Sequence, residues 1–453
     1  MDEGYDLWIF RRDLRLEGHF GLEACFSQGR SLLPIFIFDP NQVENHPYRS
    51  SHGLKYLTSA LLRLDRLLKK KKKRLHVFWG EPEKVLAQIF SSSKILKVHS
   101  SRDFTPFSKK RDRSCKLICE KNGVDFVLHD ALLLNPPEKV LKDDGSPYTV
   151  FTPYYKRAIR APLEIDFSKK SRSQWVINEN FPTLENVISN HSQLPKPMKL
   201  KVPDAWEEDR PSSTEYLGQR DVPSISGTSG WSTHLKFGTL SPHLLRESLE
   251  LEGGVEHPIL RQLFWRDFFH HIADHFPRVF GNPFQGWTEK VIWPGKEENF
   301  QAWCEGNTGF PIVDAGMREL VATGKMHNRV RMVVASFLTK DLEIDWRMGE
   351  RFFAQNLEDY DPCINNGNWQ WAASTGCDAQ PYFRIFNPWL QQKRFDPEGL
   401  YVKKWIPEIN EVHPSVLHNG FKKPISPFYV PPLVDHGEAS IRSKSRFADA
   451  KNR

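Results

Sequence analysis

The chain has 453 residues, 39% hydrophobic and 26% charged, which is enough for two or three domains with proper cores. Its 63 basic and 56 acidic residues leave a formal charge of +7, a weak preference for polyanions and nothing more specific. No apolar run approaches the ~20 residues of a membrane span, the acidic start Met1–Asp6 does not read as a signal peptide, and the six cysteines lack the paired spacing of a metal or iron–sulfur motif. A soluble protein of a reducing intracellular compartment is expected, with no metal.

As far as about residue 132, short apolar runs alternate with helix-length segments. Leu7–Phe10, Leu32–Phe38, Leu75–Trp79, Ile95–Val98 and Val124–Leu128 read as strands, and Gly53–Leu68 and Ser108–Lys121 as helices between them, so a doubly wound parallel sheet is predicted. Such sheets bind ligands beyond the carboxyl ends of their strands. Arg11, Arg12 and Arg15 follow the first strand, but no Gly-x-Gly-x-x-Gly does, and a salt-bridged surface turn is favoured over ligand contact. The run Lys69–Arg74 reads as a solvated loop that adds to the basic field.

Residues 133–205 are rich in turn formers and charges, including Asn135-Pro136-Pro137, the aromatic stretch Tyr148–Tyr155 and the run Ser168–Ser173, and form an expected interdomain connection. Beyond about 206 strand-like runs cease, helical spacing dominates, and eleven of the 14 tryptophans occur; an all-α domain is predicted over 206–453.

Four stretches of that domain carry chemistry. Tyr216, Arg220 and the turn Gly227-Thr228-Ser229-Gly230-Trp231-Ser232 offer hydroxyls and free backbone amides at a helix start, suited to a pyrophosphate, although Ser and Thr also cap ordinary helices. Gln262 and Trp265 share a helix face, where an amide and an indole can grip a planar base. Asn328, Arg331 and Met332 lie on one side of another helix, with Arg331 expected to pair with Asp359 or Asp361. Last, Asp359–Trp371 holds two carboxylates, adjacent amides, a glycine and two tryptophans; it is too polar for a core helix and reads as the lining of a pocket for a flat heteroaromatic ligand.

Asn365-Asn366-Gly367-Asn368-Trp369-Gln370-Trp371-Ala372-Ala373-Ser374-Thr375-Gly376 and Tyr382-Phe383-Arg384-Ile385-Phe386-Asn387-Pro388 resemble, nearly residue for residue, the flavin-pocket signature of the photolyase and cryptochrome family. The likeness is greatest to photolyases that repair cyclobutane pyrimidine dimers, and it extends over almost the whole chain. It implies an α/β antenna domain over 1–132, which in many members holds a second chromophore of folate or deazaflavin type, the connection 133–205, and a helical domain over 206–453 that binds FAD and DNA. Thr228-Ser229-x-x-Ser232 resembles the family's flavin-phosphate segment. Tyr216, Thr228, Ser229, Gly230, Trp231, Ser232, Arg331, Asp359, Asp361 and Asn365 are thereby implied to hold FAD, with Asn365 facing the reactive N5.

The match also implies that Trp293, Trp346 and Trp369 form an electron relay and that Arg220, Gln262, Trp265, Asn328, Met332 and Trp371 meet DNA or the lesion. Gln262 stands where dimer-repairing relatives usually carry glutamate; its amide can hydrogen-bond a pyrimidine but carries no charge. Asn328 and Met332 stand where (6-4) photolyases carry histidines, which disfavours that reaction. DASH-type cryptochromes usually place tyrosine where Trp371 stands. For Asn365, plant cryptochromes use aspartate and insect ones cysteine. The implied activity is light-dependent splitting of pyrimidine dimers in double-stranded DNA by one electron from excited, reduced FAD, in a monomeric cytoplasmic protein, nucleoid-associated in a bacterium or nuclear in a eukaryote. A cryptochrome-type photoreceptor that binds FAD without repair is the alternative; the short basic segment after Pro431–His436 favours the enzyme. A flavin oxidoreductase lacks an identifiable hydride-donor site.

Overall fold

Near-continuous apolar runs cannot sit on a sheet with a wet face, so the strands read above need covering on both sides. The computed structural model describes residues 4–44, 46–161, 174–203, 212–420 and 423–453, and the run Ser168–Ser173 lies outside the described residues. Contacts divide the chain into two compact units: residues 1–148, 152–208 and 231–275, and residues 149–151, 209–230 and 276–453.

The first unit is built on β1 (Tyr5–Phe10), α1 (Phe20–Ser27), β2 (Ser31–Phe38), α2 (Ser51–Lys69), β3 (His76–Trp79), α3 (Pro82–Ser92), β4 (Ile95–Ser101), α4 (Pro106–Lys121), β5 (Asp125–His129) and the two-residue β6 (Gln174–Trp175). The strands are parallel in the order β3-β2-β1-β4-β5, with β6 added beside β2. Side chains alternate across this sheet. Leu7, Ile9, Leu33 and Ile35 pack with Val85, Leu86 and Ile89 of α3 and Cys115 of α4. Trp8, Phe10, Leu32 and Phe36 pack with Leu22 of α1 and Leu54, Leu61 and Leu64 of α2. The doubly wound parallel sheet is thus present, each strand within a few residues of its expected place. The pair β6 has no counterpart in the sequence reading, because two residues in a polar connection carry no periodicity.

The arginine turn after β1 is salt-bridged as expected but is not on the surface. Arg11 pairs with Asp112 at 2.7 Å, Arg12 with Asp103 at 3.3 Å, and the buried Arg15 donates to the carbonyls of Gly18, Ala131 and Gly238. Three guanidinium groups spent on internal partners tie the turn to distant segments of the unit. The lysine run is a loop: Lys70–Lys72 are exposed, while Lys69 and Arg74 pair with Asp65 and Glu179.

Further along, α5 (Ser232–Phe237), α6 (Pro242–Gly253) and α7 (Pro258–His275) belong to the same unit. Asp267 on α7 accepts the backbone N–H groups of Leu134 and Asn135, and Arg266 donates to the carbonyl of Leu132, so α7 fastens the segment leaving the sheet. The second unit packs α8 (Pro311–Thr323), α9 (Asn328–Ser336), α10 (Trp346–Asn356), α11 (Pro362–Ala373) and α12 (Leu400–Trp405) around one apolar cluster, with α13 (His436–Asn452) in a smaller one with Val291, and it has no strand among the described residues. No described helix is long and apolar enough to cross a membrane.

Burial pushes His243 on α6 down to about 3 and His271 on α7 down to about 4. Their folded values lie below the unfolded one near 6.5, so the unfolded chain binds protons first and stability is lost as pH falls from about 6.5 toward 4. Thermal melts at pH 7 and pH 5 should differ by roughly 2 kcal/mol for each such histidine. His271→Phe should flatten the dependence; an unchanged slope would contradict the assignment.

Candidate functional site

The amide-rich stretch folds as α11, and its polar residues divide between two tasks. Asp361 is its N-cap, Oδ1 accepting the N–H groups of Cys363 and Ile364, with Pro362 preset for the first helical position. At the other end Ser374 turns left-handed at φ 63°, and the buried amine of Lys340 donates to the Ala373 carbonyl and the Ser374 hydroxyl. Gln370 receives the Phe284 N–H and donates to the carbonyls of Val279 and Asn282, and Asn366 also donates to Val279. These amides fasten the 279–284 loop. The reading of the stretch as too polar for a core helix is corrected: a core helix tolerates such residues when each polar group finds a partner.

What remains of the stretch faces other ways. Trp369 is buried at 2% exposure, edge-on to Phe353 at 4.9 Å and to Trp303 at 6.2 Å. Trp371, two residues later, is only partly buried. Asn365 is buried and donates from its amide to the Glu350 carbonyl at 3.0 Å, which fixes its side chain between α10 and α11. Gly349 sits one turn after Trp346 on α10, and a Cβ there would meet the Trp369 ring at 2.2 Å. A residue with any side chain at 349 therefore displaces the indole. Trp346 and Trp369 both belong to the apolar cluster, and Trp293 packs against it, with the Arg446 guanidinium 4.9 Å from the ring centre.

Of the two carboxylates offered to Arg331, the structure uses Asp359, at 2.9 Å. The second oxygen of Asp359, Oδ1, is buried and accepts no hydrogen bond, and the indole N–H of Trp369 is likewise buried without an acceptor. Asn328 is exposed and reaches the Met332 sulfur at 3.8 Å, which brings those two expected residues together. Beside them lie groups that sequence reasoning missed: Arg329 pairs with Asp221 at 2.9 Å, and His327 caps α9, accepting from the Arg329 N–H. Burial pushes His327 down to about 4, so it is neutral at physiological pH. Lys340 was also missed, because a Lys340-Asp341 pair after Val333–Leu338 reads as an ordinary exposed helix end.

Tyr216, buried on the helix Ser213–Gln219, stacks under the Arg220 guanidinium at 5.8 Å. The turn that follows passes so close to this helix that a Cβ at Gly227 would lie 2.5 Å from Gln219, and Gly230 has φ 66°. Thr228 and Gly230 are exposed and Ser229 half-buried. The remaining expected residues belong to the sheet unit: buried Trp231, exposed Ser232 at the start of α5, and exposed Gln262 with half-buried Trp265 on α7, the indole lying 5.6 Å from Phe269. No side chain caps α5.

Residues 7–170 match the family model described as DNA photolyase, and residues 259–449 match the FAD binding domain of DNA photolyase. The chain is 34% identical to the deoxyribodipyrimidine photo-lyase of a Synechococcus species over 98% of its own length and 96% of that protein. Among solved structures it is similar to an archaeal photolyase from Sulfolobus tokodaii with two FAD molecules, at 37% identity and TM-score 0.86, covering 98% of this chain and 99% of that one. It is also similar to a Synechocystis cryptochrome, at 26% identity and TM-score 0.85, covering 98% and 100%.

The Gly349–Trp369 contact yields a direct test. Gly349→Val should destabilise the helical unit by about 1–3 kcal/mol through overpacking and shift tryptophan emission; a melt and spectrum identical to the parent would refute the contact.

Proposed function

The chain belongs to the DNA photolyase and cryptochrome family and carries its FAD-binding domain, and from that premise we propose that it repairs cyclobutane pyrimidine dimers in DNA under blue light. The observation that carries the reading is the pair of tryptophans on α11, one buried and one at the half-exposed edge two residues on. Trp369 is sheltered among rings and suits electron conduction; Trp371 is accessible and suits stacking against an unpaired base, worth ~1–3 kcal/mol.

The residues present fit FAD. A buried carboxylate oxygen without a donor, Asp359 Oδ1, and a guanidinium bound to the same carboxylate offer what a ribose hydroxyl or a ring N–H requires. The glycine-bearing turn at Thr228, Ser229 and Gly230 offers hydroxyls and close backbone approach to a pyrophosphate. Asn365, held by Glu350, supplies a fixed neutral amide that tolerates more than one redox state of the ring. When bound, reduced and excited, FAD supplies the electron that splits the cyclobutane ring and recovers it afterwards.

The chain's own contribution is to hold the lesion and keep water out. Arg220, Gln262, Trp265, Asn328, Met332 and Trp371 are assigned to DNA or lesion, with phosphate contacts setting register and photolyases being among the base-flipping enzymes. Trp293, Trp346 and Trp369 are assigned to conduction between surface and cofactor. The functional division follows 1–132 as the antenna region with a second chromophore, 133–205 as connection and 206–453 as the FAD and DNA region, in a monomer acting where its DNA lies. The contact of Asn328 with Met332, where (6-4) enzymes carry histidines, supports dimer repair over that reaction. The likeness to a cryptochrome keeps a photoreceptor without repair as the second reading.

Illumination of the reduced, FAD-loaded protein with an oligonucleotide carrying one cyclobutane dimer separates the two: lesion loss in blue light and none in darkness is expected, and an inert loaded protein would sink repair. Asp359→Asn should lower the flavin retained per chain, whereas Trp371→Ala should retain flavin and bind damaged DNA roughly tenfold less tightly. Unchanged binding by Trp371→Ala would remove the stacking role.

A further inference from the structure

The sheet unit holds a cluster that takes no part in the site described above. Cys25 comes from α1, His99 from β4 and His129 from the last residue of β5, yet one ligand atom of each lies within 4.8 Å of the other two. His99 Nδ1 and His129 Nε2 are 3.1 Å apart, and Cys25 Sγ is 4.0 Å from the same His129 nitrogen. Behind them Asp6, buried on β1, holds the other ring nitrogen of His99 at 3.1 Å. A buried carboxylate gripping the far nitrogen of an imidazole, while the near nitrogen faces a thiol and a second imidazole, is how proteins orient histidines on a metal.

We propose that Cys25, His99 and His129 bind a zinc-class divalent ion, with Asp6 as the positioning residue. One thiolate and two imidazoles are a borderline-soft donor set that suits zinc over magnesium or calcium. A tetrahedral ion at ~2.3 Å from sulfur and ~2.05 Å from nitrogen requires S···N of about 3.6 Å and N···N of about 3.4 Å. The present 4.0 and 3.1 Å fall on either side of these values, and Cys25 Sγ and His99 Nδ1 lie within 4.8 Å, so small side-chain shifts bring the three atoms to an ion.

The protons also balance. His99 donates its Nε2–H to Asp6, leaving Nδ1 as a lone pair that accepts from the Nε2–H of His129 in the metal-free protein. On binding, His129 shifts to its other tautomer and Cys25 loses its S–H proton to solvent as the S–metal bond forms. Formation of the thiolate releases one proton per ion bound. Cys25 and His99 are buried and His129 half-buried, which leaves an approach for the ion and for a water in the fourth position. The bound ion joins α1 to β4 and β5.

Full-length protein stripped by chelation and titrated with Zn2+ and Co2+ tests this. One ion per chain is expected, with tetrahedral thiolate-type Co2+ bands at wavelengths beyond the absorption of oxidised flavin. Cys25→Ser and His129→Ala should abolish those bands, Asp6→Asn should weaken affinity about 10–100-fold, and Cys119→Ser, which removes another buried thiol of the unit, should leave both intact. In the unsubstituted protein zinc should slow alkylation of Cys25 and not of Cys119. Absence of a retained ion, undiminished binding by a folded Cys25→Ser variant, or equal alkylation with and without zinc would overturn the proposal.

Discussion

The helical unit rests on one constraint: an amide-rich helix is enclosed in an apolar cluster, and every polar group taken inside must find a partner or cost roughly 1–3 kcal/mol. α11 meets that demand at its ends through Asp361 and Lys340 and along its side through Asn366 and Gln370. Burial pushes the Lys340 amine well below its ordinary range, so it acts chiefly as a hydrogen-bond donor. Against that well-satisfied background, the few orphans acquire meaning. Asp359 is one case: Arg331 holds one of its oxygens, the cap of α11 uses Asp361 instead, and Asp359 Oδ1 is left for the cofactor proposed above.

The same enclosure sets the position of the rings. Trp369 needs the space that Gly349 leaves, and Gly349 is held on the helix that also carries Trp346. Packing of α10 on α11 therefore couples the placement of the two indoles, while Asn365 bridges the same two helices through Glu350. A change that slides one helix moves rings and amide together. For the proposed relay this means that the placement of Trp346 relative to Trp369 is a property of one helix pair.

Much of the fold was legible because its signals are local. β1 and β2 carry the apolar runs Leu7–Phe10 and Leu32–Phe38, and their alternate residues do reach opposite cores. The character of α11 was misjudged because composition reports polarity without reporting partners, and the partners of Gln370 lie more than 80 residues away. The choice between Asp359 and Asp361 for Arg331 was open in sequence for the same reason; the helix cap claims one and leaves the other. The arginine turn was legible as salt-bridged but not as buried, since Arg15 is satisfied by carbonyls, which every residue possesses. Cys25, His99 and His129 escaped notice entirely, because a cluster drawn from a helix and two strands has no spacing to read.

Charge placement around the tryptophans bears on their assigned role. An indole that yields an electron becomes cationic, and a bare guanidinium 4.9 Å away opposes this by about 3 kcal/mol at an effective dielectric of ~20. Arg446 over Trp293 keeps its charge, since burial lowers it only to about 10, but it pairs with Glu343 at 3.4 Å. Arg347, 4.9 Å from the Trp346 ring, pairs with Asp345 at 3.0 Å. Each ring consequently faces a neutralised pair, whose field falls off faster than that of a single charge. Removing Glu343 or Asp345 alone would leave the opposing arginine uncompensated, so in the proposed relay the acids set the field at each ring through the arginines they neutralise.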